Sequence, residues 1–145
     1  MPERKIRVLL AKLGLDSHTV GVTVIAQSLR DAGMEVIYTG LRQTPDMVVQ
    51  AALQEDVDVI GISSLSGAQM QHIPKVLDKL REEEIDDKLV VVGGVIPDED
   101  ADSLLASGVD RVFTMGAKTS EIAEFIRGWW DEQQSSHSSD SSEGA

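Results

Sequence analysis

Cysteine is absent from the chain. Its absence excludes disulfide stapling, thiolate catalysis and zinc sites built from sulfur, so any metal must be held by histidine or oxygen ligands. Basic residues are scarce too, with 13 Lys and Arg against 25 Asp and Glu for a formal net charge of -12. A nucleic-acid surface needs clustered Lys and Arg to displace phosphate counterions, so that class of partner is excluded. Long apolar runs are missing: no window of about 18 residues is apolar enough to span a bilayer. The N-terminal MPERKIR enters the first apolar segment without a signal-peptide core. These absences predict a soluble, cytoplasmic protein with no nucleic acid and no membrane as partner.

What is present is a regular alternation. KIRVLLA (5 to 11) is a short run of branched apolar residues, as expected for a strand buried on both faces. VTVIAQSLRDAG follows with helical spacing at Val22, Ile25, Ala26 and Leu29, and Gly33 is placed to end the helix. EVIYTG predicts a second strand. TPDMVVQAALQED opens a helix with Thr44 as N-cap, Pro45 at the first helical position and Asp46 near the positive end of the helix dipole. VDVIGIS (57 to 63) and KLVVVGG (88 to 94) read as strands three and four and VDRVFT as the fifth, with helices after each. The helix after strand three contains Pro74 and the last ends near TSEIAEFIRGWW. Beyond it, DEQQSSHSSDSSEGA is acidic, Ser-rich and without an apolar face, so we expect one domain over 1-130 and a disordered tail over 131-145.

Five strands alternating with five helices require a parallel sheet, and right-handed crossovers then cover both of its faces. The fold class is α/β, a doubly wound, Rossmann-like five-stranded sheet with the flavodoxin-like order 2-1-3-4-5. Ligands bind such sheets at the carboxyl ends of the strands, near the switch point between strands one and three. That rule selects the loops Lys12 to Gly21, Ser63 to Gly67 and Gly93 to Pro97.

KLGLDSHTVG matches neither a dinucleotide-binding glycine pattern nor a P-loop. A phospho-receiver of this topology is also excluded, because strand one ends in Ala11 and Lys12 and strand three in Ile62 and Ser63, where acidic residues would be needed. The loop after strand one offers an imidazole, His18, with Asp16 two residues before it and Lys12 four before that. A metal-bound imidazole commonly donates its other ring proton to a carboxylate, and a lysine beside that carboxylate tunes its charge. Two readings are open at this point: a ligand relay of Lys12, Asp16 and His18, or a helix cap at Asp16 beside an idle surface histidine. Ser63, Ser64, Ser66, Gly67 and Ala68, with Gly93 and Gly94, line the same cleft with small side chains. One imidazole beside a narrow slot suits a metal that arrives inside a large organic cofactor.

These segments resemble the fingerprint D-x-H-x-x-G, S-x-L, G-G of corrinoid proteins that bind cobalamin base-off, with histidine on cobalt. It stands here as Asp16-Ser17-His18-Thr19-Val20-Gly21, Ser63-Ser64-Leu65 and Gly93-Gly94, separated by 41 and 27 residues. Within that group, residues 4 to 130 most resemble the cobalamin domain of methylmalonyl-CoA mutase, through AKLGLDSH, LRQTPDMVVQAALQEDVDVIGISSLSGA and VVVGGVIPDED. The resemblance implies that His18 is the lower axial cobalt ligand, with Asp16 and Lys12 as the carboxylate and lysine behind it. It implies a slot for the dimethylbenzimidazole tail, with Ser63 and Leu65 beside the base, Gly93 and Gly94 leaving room, and Phe113, Thr114 and Gly116 closing over it. Ser17, Thr19, Gly21, Val22, Ile25 and Val95 complete the cofactor-binding set. Departures from the pattern fall at Ser17, Thr19 and Val20, and at Phe113-Thr114-Met115-Gly116-Ala117, where the family has Y-x-P-G-T. Two hydroxyls are lost there, each worth on the order of 1 kcal/mol net.

The activity implied is an isomerase reaction: homolysis of the cobalt-carbon bond of adenosylcobalamin gives a radical that interconverts methylmalonyl-CoA and succinyl-CoA. The acyl-CoA would be bound by a separate large subunit, because five βα units cannot supply the barrel that encloses it. Residues near Val20, Val22, Leu65, Val95 and Met115 are candidates for that interface. Other cobalamin mutases, acting on a hydroxyacyl-CoA or on glutamate, share the motifs. Corrinoid carriers and sensors usually carry a helical domain ahead of the corrinoid domain, for which residues 1 to 4 leave no room. His72 and the Trp129-Trp130 pair are expected to be helix surface and local packing, and His137 a tail residue without a metal.

Overall fold

The computed structural model describes residues 5–12, 20–39, 44–64, 69–85, 87–94, 96–113 and 118–144, with backbone alone at 12, 20–22, 64, 69–71 and 135–144. Apolar runs form β1 (Arg7–Lys12), β2 (Glu35–Tyr38), β3 (Val59–Ser64), β4 (Leu89–Gly94) and β5 (Arg111–Phe113). Between and after them run α1 (Val20–Asp31), α2 (Pro45–Gln54), α3 (Gln69–Glu82), α4 (Asp98–Ser107) and α5 (Thr119–Gly144). All strand pairs are parallel and the order is β2-β1-β3-β4-β5, as the alternation predicts.

The period of two in each central strand divides the core. Leu9, Ala11, Ile60, Ile62, Val90 and Val92 face one cluster, packed with Val48, Val49, Ile73, Leu77 and Leu104 from α2, α3 and α4. Val8, Leu10, Val59, Leu89, Val91 and Phe113 face the other, packed with Ala26 and Leu29 of α1 and Ile122, Ile126 and Trp130 of α5. Two faces buried under helices explain why these strands are apolar throughout rather than alternating.

Helix ends follow local chemistry. Thr44 is extended and its Oγ1 accepts the Met47 N–H at 3.2 Å, with Pro45 and Asp46 in the first turn. Gly33 ends α1 with φ +90°, a conformation that side chains with a Cβ rarely adopt. Strands β3 and β5 start later than their apolar runs suggest because an aspartate stands before each. Asp58 Oδ2 accepts the Arg7 N–H at 3.0 Å while the Asp58 N–H donates to the Arg7 carbonyl at 2.9 Å. Asp110 repeats the device: its Oδ2 accepts the Val90 N–H at 2.8 Å and its N–H donates to the Val90 carbonyl at 2.9 Å. These reciprocal pairs set the register of β1 with β3 and of β4 with β5 at their N-terminal ends.

The backbone of α5 runs as helix to Gly144. That extension has no apolar residue with which to pack against the domain. One expectation differs from what is found: His72, expected on the helix surface, is half-buried in α3, and its Nδ1 is shielded from solvent without a hydrogen-bond partner among the described residues. The neighbouring Ile73 and Val76 are fully buried, which draws that side of α3 inward. Trp129 and Trp130 pack locally as expected, with ring centroids 6.2 Å apart and Trp130 in the α1/α5 core.

Candidate cofactor site

Register builds the site. Across four strands, Lys12 pairs with Ser63, Ser63 with Gly93, and Gly93 with Phe113. Four residues picked from separate sequence motifs therefore share one row near the carboxyl end of the sheet. One step further, Ser64 pairs with Gly94.

On the face under α2, α3 and α4 the strands keep bulky residues toward this end, with Ile62 and Val92 both buried. On the face under α1 and α5 they do not: Val59 gives way to Gly61 and Ser63, and Val91 to Gly93. The missing side chains leave a pocket of about 400 Å³ between sheet and helices, part of it open to solvent. Leu10, Gly61, Ser63, Val91, Gly93 and Phe113 line it from the sheet, and Ile25, Leu29, Ile122 and Ile126 from α1 and α5. Phe113 is held edge-on against Phe125, with ring centroids 5.9 Å apart and the Arg111 guanidinium 5.3 Å from both rings.

The glycines here do different work. A Cβ on Gly61 would stand 2.7 Å from Leu10 Cδ2, so the residue is small because Leu10 lies over it. Gly94 has φ +132°, a conformation that strains any residue with a Cβ. Gly93 has neither restraint: its φ is not in the left-handed region, and an added Cβ would meet Phe113 O at 3.6 Å and Phe113 Cβ at 3.9 Å, both ordinary contacts. Among the described residues nothing requires glycine at 93. Its missing side chain is pocket volume, which is what a cradle for a flat, apolar ring needs.

Of the residues expected from sequence, Ile25, Ser63, Gly93 and Phe113 line this pocket together. Lys12 joins them by register and Gly94 follows in the next position. Gly21 and Val22 lie in the first turn of α1. Asp16, Ser17, His18, Thr19, Leu65, Val95, Thr114 and Gly116 lie outside the described residues. Sequence reasoning did not single out Leu10, Gly61, Ile122 or Ile126. Gly61 carried a usable signal, since a glycine inside an apolar strand marks a close approach. The two isoleucines of α5 carried none, because helical spacing is the same for core and pocket wall.

Comparison with known proteins settles which family builds such a slot. Residues 6–124 match the B12 binding domain. The chain belongs to that family. The 2-hydroxyisobutanoyl-CoA mutase small subunit of Aquincola tertiaricarbonis is 50% identical over 127 residues, covering 88% of this chain and 93% of the relative. The pivalyl-CoA mutase small subunit of Xanthobacter autotrophicus is 49% identical over 123 residues, 85% of this chain and 82% of its own length. Methylmalonyl-CoA mutase of Cereibacter sphaeroides is 39% identical over 123 residues, 85% of this chain but only 17% of the relative. The B12-binding residues thus form nearly the whole of the first two proteins and a small part of the third.

Proposed function

We propose that this chain is the cobalamin-binding small subunit of an acyl-CoA mutase, an isomerase that acts only with a separate large subunit binding the acyl-CoA. The observation that carries the reading is the row Lys12, Ser63, Gly93 and Phe113 beside a pocket opened by Gly61, Ser63 and Gly93, the last a glycine that no described neighbour requires. Membership of the B12-binding family says what such a pocket is for, and the two relatives that this chain covers over most of their length are mutase small subunits.

The cofactor in this reading is adenosylcobalamin, which when bound supplies radical chemistry for a carbon-skeleton rearrangement. The chain's own residues hold and shield it. His18 would hold the cobalt, with Asp16 orienting its imidazole and Lys12 tuning that carboxylate, the arrangement expected of a metal-bound histidine and its supports. Ser63, Gly93 and the apolar walls from α1 and α5 receive the nucleotide base and keep water from it.

For the substrate, the sequence resemblance pointed to methylmalonyl-CoA. The two relatives of matching length act on other acyl groups and share more identity with this chain, which moves the preference to a 2-hydroxyisobutanoyl-CoA or pivalyl-CoA type of substrate. All three acyl groups are branched at the carbon next to the thioester, so we assign the class as α-branched acyl-CoA. Cytoplasmic location fits this reading, and among the described residues no helix is long and apolar enough to cross a membrane.

Two measurements test it. Titration of cobalamin should produce the absorbance change of base-off, histidine-on binding, and His18→Ala should abolish that change. Reconstitution with a large subunit and adenosylcobalamin, assayed on the three acyl-CoAs, should give turnover of a branched substrate. Absence of cobalamin binding would sink the proposal, and turnover of glutamate alone would replace the substrate class.

A further inference from the structure

We propose that the flank of α5 turned away from α1 is a docking surface for α5 of a second copy of this chain, the two helices crossing antiparallel at Gly128. The other flank is occupied, since Arg127 donates to the Ala32 carbonyl at the end of α1 at 2.8 Å. Phe125, edge-on to Phe113 of β5, and Trp129 stand on the free flank, both half-buried at the rim of the core. Gly128 lies beside them, exposed, and a Cβ added there would meet nothing within 4 Å. Glycine is the weakest helix former after proline, and neither a positive φ nor a close neighbour among the described residues asks for it at 128. Two helix axes come closest where the side chains at their crossing are smallest, and this position offers none.

Charge says which helix docks there. Arg111 is exposed next to this face, with its guanidinium 5.3 Å from the Phe113 and Phe125 rings and no carboxylate partner among the described residues, in a chain with 25 Asp and Glu. Glu132, also exposed and without an ion pair to a described residue, falls on the same flank, because 125, 128 and 132 follow the spacing of one helix face. In an antiparallel pair centred on Gly128, residues equally far before and after the glycine come opposite each other. Phe125, which carries the Arg111 guanidinium, is three residues before it, and Glu132 is four after. Helical side chains lean toward the N-terminus of their own helix, which brings the Glu132 carboxylate to the level of Phe125 on the other copy. Two symmetric Arg111–Glu132 pairs result. A cation and an anion at matched distances from the crossing point are the self-complementarity that a two-fold axis requires.

The test is sedimentation velocity of the full chain over a range of concentrations at physiological salt. A Debye length of about 8 Å there damps repulsion between copies of net charge -12 and leaves close pairs in force. A species of twice 15.7 kDa should form as concentration rises. Arg111→Glu and Glu132→Arg should each weaken it by about tenfold or more, and the two together, which exchange the charges, should recover it to within a few-fold. Gly128→Gln should raise the thermal stability of the monomer while weakening the dimer by about tenfold or more, a combination that misfolding does not produce. A monomer at every concentration up to about 1 mM would overturn the proposal. So would a dimer that keeps its affinity in the folded single variants, or a double variant no better than either of them. A chain that is monomeric alone, and whose association with a large subunit is weakened by Arg111→Glu, would give this face to that partner and overturn the second copy as its occupant.

Discussion

Replacing Gly93 by alanine separates pocket volume from fold. In the free protein the new methyl sits at ordinary contact distances of 3.6 and 3.9 Å from Phe113 atoms and requires no left-handed backbone. Removing a glycine from a strand interior lowers the entropy lost on folding, so Gly93→Ala should leave stability unchanged or raise it by about 0.5–1 kcal/mol. Binding should respond in the opposite direction. The methyl occupies space that the base needs, and overfilling a closely packed site costs about 1–3 kcal/mol, or roughly 5- to 150-fold in affinity. Gly93→Val should exceed that. Gly94→Ala is the contrast: its φ of +132° makes any Cβ strained, so it should lower thermal stability at once. Thermal unfolding of the free protein and absorbance titration with cobalamin measure the two effects independently. Unchanged cobalamin affinity in folded Gly93→Ala would refute the reasoning, and so would a loss of stability matching that of Gly94→Ala.

Further outcomes follow from other parts of the fold. Asp110→Ala removes the acceptor for the Val90 N–H and should destabilise the domain by about 1–2 kcal/mol in urea unfolding, whereas a shift below about 0.3 kcal/mol would show the pair to be incidental. Lys79 has its pKa raised above the ordinary 10.5, first by its hydrogen bond to Asp46 and then by that carboxylate's charge. Its contribution is therefore complete below pH 10.5 and lost as pH rises through the raised value. The side chain is exposed and the effect small, so in urea unfolding Lys79→Met should lower stability slightly at neutral pH and remove that alkaline loss, whereas an alkaline limb identical to that of the unmodified chain would refute the pairing. Truncation after Asp131 should leave cobalamin affinity unchanged, because the polar extension of α5 has no apolar face for the domain; a loss of binding would give the tail a role that its composition does not suggest.

Much of the architecture was legible because its causes are local. Branched apolar runs, the Thr44-Pro45-Asp46 helix start and Gly33 each act within a few residues, and alternation of strand and helix leaves a parallel sheet as the solution. Gly94 and Gly93 looked alike in the sequence, as a turn or as room for a ligand. Only backbone conformation distinguishes them, and it assigns the first to strain and the second to space. The strand-capping aspartates at 58 and 110 were not legible either, because their partners, Arg7 and Val90, are 51 and 20 residues away.

By itself, then, the sequence determined the elements, the doubly wound sheet and the motif residues, since helical and strand periods and spaced motifs are properties of the chain. Tertiary structure decided which of those residues act together. Lys12, Ser63, Gly93 and Phe113 are far apart in the chain and become neighbours only through strand register. The walls that close the pocket come from α1 and α5, because a doubly wound crossover places the first and last helices on the same face of the sheet.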